Sequence, residues 1–95
     1  MAVVVIATNP GGTAEFDDAM QQRLGLGGNP PPGASVRVAG PVEGGWRIIS
    51  VWDSEETFNT FRREQLEPAL QQAGRPVPQF EIAPLHSVLI ARPQG

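Results

Sequence analysis

The sequence contains no cysteine, no lysine and no tyrosine, and a single histidine, His86. Without cysteine there are no disulfides and no thiolate nucleophile. Without lysine there is no Schiff-base chemistry, and without tyrosine no phenolic acid. Every cation is an arginine. One histidine leaves a mononuclear metal site to be completed by carboxylates or by a second subunit, so no metal is expected. The net charge of −3 supplies no basic surface of the kind that nucleic-acid binders carry. No apolar run approaches the roughly 20 residues of a membrane span. The opening Met1–Ile6 is apolar but lacks a basic leader and a small-residue cleavage site. It reads as a strand, and a cytoplasmic location is expected.

What is present reads as one domain over residues 1–95, near the small end of what folds alone. Ala2–Thr8 is a continuous run of small and β-branched apolar residues, the pattern of a buried strand. The turn cluster Asn9-Pro10-Gly11-Gly12 follows, and Thr13 is placed to cap a helix carrying Phe16, Met20 and Leu24 at helical spacing. Acidic Glu15, Asp17 and Asp18 complement the dipole at its start. Gly25–Gly33 is a glycine- and proline-rich connection. It is not a phosphate cradle, because Pro30 replaces the last glycine of G-x-G-x-x-G and the segment follows a helix rather than a strand. Ala34–Val42 and Gly45–Asp53 read as a hairpin about Glu43-Gly44. Asp53 or Ser54 caps a second helix bearing Phe58, Phe61, Leu66 and Leu70, which Pro68 should kink or divide. Gln79–Ala91 reads as a last strand, bulged at Pro84.

The order β-α-β-β-α-β is the split-βαβ, ferredoxin-like arrangement: an antiparallel four-stranded sheet with two helices on one face. Alternation on the third strand groups Trp46, Ile48, Ser50 and Trp52 on one side and Arg47, Ile49, Val51 and Asp53 on the other. Because Asp53 leads into the helix, Ile49 and Val51 are expected under the helices, and the two indoles on the helix-free face. His86, Val88 and Ile90 would join them from the last strand. An apolar face of that kind calls for a partner, and a two-fold homodimer with a cleft between the two sheets is the expected solution.

The segment Gly45-Trp46-Arg47-Ile48-Ile49-Ser50-Val51-Trp52-Asp53-Ser54-Glu55-Glu56, with Phe58 and Phe61, resembles the antibiotic-biosynthesis-monooxygenase-like proteins of the dimeric α+β barrel superfamily. So do Leu66-Glu67-Pro68-Ala69-Leu70 and Pro84-Leu85-His86-Ser87-Val88. The likeness spans most of the chain. It implies a half-barrel that dimerises. The activities it brings into view are cofactor-independent oxygenation of polyketide aromatics, haem degradation, isomerisation and cyclisation. Haem-degrading relatives use an Asn on the first strand, a Trp and a His. Here Trp52 matches the Trp, but strand one has no Asn before Asn9, and His86 lies on the last strand, not on a helix.

The expected activity is therefore oxygenation, cyclisation or isomerisation of an aromatic or polyketide-like substrate in an apolar cleft, with neither metal nor organic cofactor. The alternative is a non-catalytic or stress-related barrel that binds a small apolar or aromatic ligand. His86, the one side chain that titrates near neutrality unaided, is the candidate proton carrier. Arg37 is the candidate stabiliser of developing negative charge. Trp46, Ile48, Ser50, Trp52 and Val88 are the candidate substrate contacts. A Ser-His-Asp reading has no G-x-S-x-G elbow behind it.

Overall fold

The structure, a computed structural model, describes residues 1–91. Strands β1 (Val3–Pro10), β2 (Ala34–Val42), β3 (Gly45–Trp52) and β4 (Gln79–Pro84) form one antiparallel sheet in the order β2-β3-β1-β4. Helix α1 (Ala14–Arg23) connects β1 to β2, and α2 (Glu55–Phe61) with α3 (Glu67–Gln72) connects β3 to β4. This is the expected βαββαβ ferredoxin-like sheet with its helices on one face. Among the described residues, no helix is long and apolar enough to cross a membrane.

Local chemistry explains the element ends. Thr13 Oγ1 accepts the Phe16 N–H and starts α1. Ser54, not Asp53, caps α2, its Oγ accepting the Thr57 N–H at 3.0 Å. The β2–β3 hairpin turns at Gly44, where φ is +77°, a value that favours glycine. Pro68 has no N–H to give to Glu64 four residues back, and the helix absorbs the defect ahead of it. Arg62–Leu66 widens into a π turn, with the Glu67 N–H reaching the Arg62 carbonyl, and α3 then restarts with the proline in its first turn.

Two expectations are corrected. β4 stops at Pro84 rather than running to Ala91. Proline cannot continue the ladder, and β1, which pairs with it, begins at Val3 opposite Pro84. Beyond that point, among the described residues, one backbone bond remains, from the Leu85 N–H to the Ala2 carbonyl. The expected cleft residues His86, Val88 and Ile90 are therefore not on the sheet, and all three are exposed.

The second correction reverses the faces of β3. Trp52 pairs with Val3, Ser50 with Val5 and Ile48 with Ala7, and these three β1 residues are all buried. Trp52 is 2% exposed and its ring meets Phe58 and Phe61 of α2, each at 5.3 Å between centroids. The indoles therefore lie on the helical side. Packing decides this: the two rings of α2 and the indole of Trp52 bury the most apolar surface when they meet in one layer.

The helix-free face carries Val4 and Ile6 of β1, Val36 and Val38 of β2, and Ile49 and Val51 of β3. Their faces follow from the registers Val4↔Val51, Ile6↔Ile49, Val36↔Val51 and Val38↔Ile49. A register irregularity between Ala34 and Val36 sets this phase on β2. Val38 is 54% and Ile49 37% exposed, so an apolar sheet face is left uncovered after all, built from the opposite set of side chains.

Candidate functional site

Between the sheet and the helices lies a cavity of ≈ 90 Å³, partly open to solvent. Its walls are apolar: Val5 and Ile48 from the sheet, Phe16 and Met20 from α1, Leu70 from α3 and Phe80 from β4. The α1 stripe read from the sequence supplies one wall, and alternation on β1, β3 and β4 supplies the floor.

The polar groups fall into three sets. Arg37 projects from β2 to α1, where its two terminal nitrogens meet the Asp17 carboxylate at 2.5 and 3.3 Å. Gln21, one turn on, turns its amide oxygen to the same guanidinium at 3.0 Å from Nη2. The pair is largely shielded, at 19% exposure for Arg37 and 12% for Asp17. Its geometry is the two-point fork that a guanidinium makes with a carboxylate. The Ser50 Oγ accepts the Trp52 indole N–H at 2.8 Å in the buried layer. Trp46, at the other end of the same face, has its indole nitrogen buried and without a hydrogen-bond partner among the described residues.

Five of the seven residues singled out in the sequence thus come together: Arg37, Trp46, Ile48, Ser50 and Trp52 all line this cavity. They do so inside one protomer, not between two sheets. His86 and Val88 are elsewhere, on the exposed segment after β4. Among the described residues, no group of three or more His, Cys, Asp and Glu is arranged to hold a metal ion.

No family model matches the chain, and no curated protein does either. Solved structures do match. A protein of Chloroflexus aurantiacus provisionally assigned as an antibiotic biosynthesis monooxygenase superposes with a TM-score of 0.60 at 20% identity, over 96% of this chain and 100% of that one. A single-site variant of SnoaB, a cofactor-independent oxygenase from Streptomyces nogalater, gives 0.58 at 15% identity, over 93% and 95%. A protein of Deinococcus radiodurans, assigned as the first is, gives 0.52 at 12%, over 97% and 99%. The fold is that of the antibiotic-biosynthesis-monooxygenase-like proteins. At these identities the likeness concerns the backbone, and the chemistry of this site has to be read from its own side chains.

Sequence reasoning did not find Asp17 and Gln21, whose partner Arg37 it had singled out. The signal was present: Asp17 and Gln21 stand four apart on α1, facing the same way as the apolar Met20. An arginine on the helix-covered side of a sheet needs such a counter-charge. Removing it should be costly. Asp17→Ala is expected to lower unfolding free energy by about 2 kcal/mol, because Arg37 is left shielded with its charge unpaired. Asp17→Ala combined with Arg37→Met should recover part of that loss. Urea melts of the two variants check this, and equal stability of Asp17→Ala and the parent would contradict it.

Proposed function

We propose that the chain is a small-molecule enzyme that oxygenates, cyclises or isomerises an aromatic or polyketide-like substrate in this intramolecular cavity, without metal or organic cofactor. The observation that carries the reading is the cavity: a partly open apolar chamber on the helical side of the sheet, with a few polar groups among its walls. The backbone likeness to a cofactor-independent oxygenase supports it. The apolar walls would orient a flat substrate and keep water from a reactive carbanion or phenolate. In an oxygenation the deprotonated substrate would itself give electrons to O₂. Cytoplasmic residence belongs to the same reading.

One observation favours the alternative, a non-catalytic binder. Asp17 and Gln21 already engage the Arg37 guanidinium, and His86 stands outside the cavity. Oxygen uptake separates the two. The enzyme reading expects protein-dependent O₂ consumption with an oxidisable phenol or anthrone, unaffected by a chelator and lost when Ile48→Trp fills the chamber. Binding without O₂ uptake or isomerised product would establish the binder. His86→Ala should leave ligand affinity unchanged, since that side chain does not line the cavity.

The uncovered sheet face supports a second element of the proposal. The protomer is taken to form a two-fold homodimer through Val4, Ile6, Val36, Val38, Ile49 and Val51, sheet against sheet.

A further inference from the structure

The two tryptophans share one strand face but differ in how their polar atoms are used. The Trp52 N–H is spent on Ser50. The Trp46 Nε1 is buried with no partner among the described residues, an arrangement that folded proteins rarely leave in place. The base of Trp46 is held in place. Gly12 packs so close that a Cβ there would stand 2.8 Å from the Trp46 Cβ, and the Asn9 side-chain amide donates to the Trp46 carbonyl at 3.5 Å. Trp46 lines the cavity and is partly buried as a residue. Arg37, another donor at the cavity, already meets Asp17 and Gln21.

We propose that Trp46 is the polar anchor of the cavity, and that its indole N–H donates to a carbonyl or phenolate oxygen of the ligand. The inference rests on the reading of the cavity as a ligand site and names the ligand class it selects. Size narrows that class. The cavity of ≈ 90 Å³ is smaller than the roughly 150 Å³ apolar cavity that accepts benzene, but it is partly open. Its open side lets one ring enter part-way and leaves the rest of the ligand at the mouth. The ligand is a flat molecule that inserts a single ring bearing an oxygen acceptor.

The test uses acetophenone, which carries an acceptor, and ethylbenzene, which does not. Each is titrated into the intact protein and into Trp46→Phe, with the two indole N–H resonances followed by NMR. Trp46→Phe keeps an aromatic ring at the position and removes the donor. The expected result is a loss of about 3- to 10-fold in acetophenone affinity and less than about 2-fold for ethylbenzene. In the parent protein acetophenone should move the Trp46 indole resonance downfield and leave that of Trp52 in place, which needs no variant to fold. Equal loss for both compounds, or a stationary Trp46 resonance in the acetophenone complex, would overturn the anchor while leaving the cavity a ligand site. If neither compound binds at millimolar concentration, both the cavity reading and the anchor fall.

Discussion

Trp52→Ala is expected to remove about 3–5 kcal/mol of stability, enough to lower the melting temperature of a domain this size by well over about 10 °C. The residue is 2% exposed and joins Val3, Val5, Phe58 and Phe61 in one cluster. Its ring links β3 to α2 through an edge contact with Phe58 at 66° and a tilted one with Phe61 at 38°. Truncation would leave a hole bounded by Phe58 and Phe61 on α2 and by Val3 and Val5 on β1, and because these elements are held separately the gap cannot close fully. Ser50→Ala isolates the polar part of the same unit. It leaves the Trp52 N–H without its acceptor and should cost about 1–2 kcal/mol. Thermal melts of the two variants check the order. A Trp52→Ala protein as stable as the parent would mean that the indole is not under the helices.

The second large effect concerns assembly. The parent chain is expected to run as a dimer at micromolar concentration, and Val38→Glu with Ile49→Lys as a monomer, with dimer affinity reduced by at least about 100-fold. These two side chains are register partners on the helix-free face and are 54% and 37% exposed in the protomer. Opposite charges on the two positions would pair within one protomer, yet both would have to be desolvated against the partner sheet. A stable dimer buries on the order of 1,200–2,000 Å² in total, which the apolar side of a four-stranded sheet can supply. Light scattering of both proteins reads the result. A parent chain that is monomeric at 100 micromolar would contradict the assignment of this face as a self-association surface.

Much of the fold was legible in local chemistry. The caps at Thr13 and Ser54, the hairpin at Gly44 and the interruption ahead of Pro68 each follow from what one residue can or cannot hydrogen-bond. The facing of β3 was not legible. Alternation sorted its side chains into two groups correctly, but both groups are apolar. The argument from Asp53 failed because the chain turns there: the Asp53 N–H bonds the Gly33 carbonyl, and the residue is exposed at the bend instead of continuing the strand's face. The pairing of Val5 with Ser50, remote in sequence, and the contact of Trp52 with α2 show which group is covered.

That reversal moved the candidate site as well. Trp46, Ile48, Ser50 and Trp52 do share one face of β3, but the cavity they line lies under their own protomer's helices. His86 and Val88 were placed with them on the assumption that the last strand continued past Pro84, and it does not. Asp17 went unrecognised because a carboxylate in the first turns of a helix is already accounted for by the helix dipole. Its pairing with Arg37 exists only once β2 and α1 are brought together.

Adjacent residues on β3 offer the most direct test of where the ligand goes. Ile48 lines the cavity, while Ile49 is on the opposite side of the sheet. With methyl-labelled isoleucine and bound acetophenone, intermolecular NOEs should run from the ligand ring to Ile48 and to the Met20 methyl. NOEs to Ile49 and Ile6 instead, with none to Ile48, would put the ligand between two sheets and contradict a binding site enclosed by a single protomer.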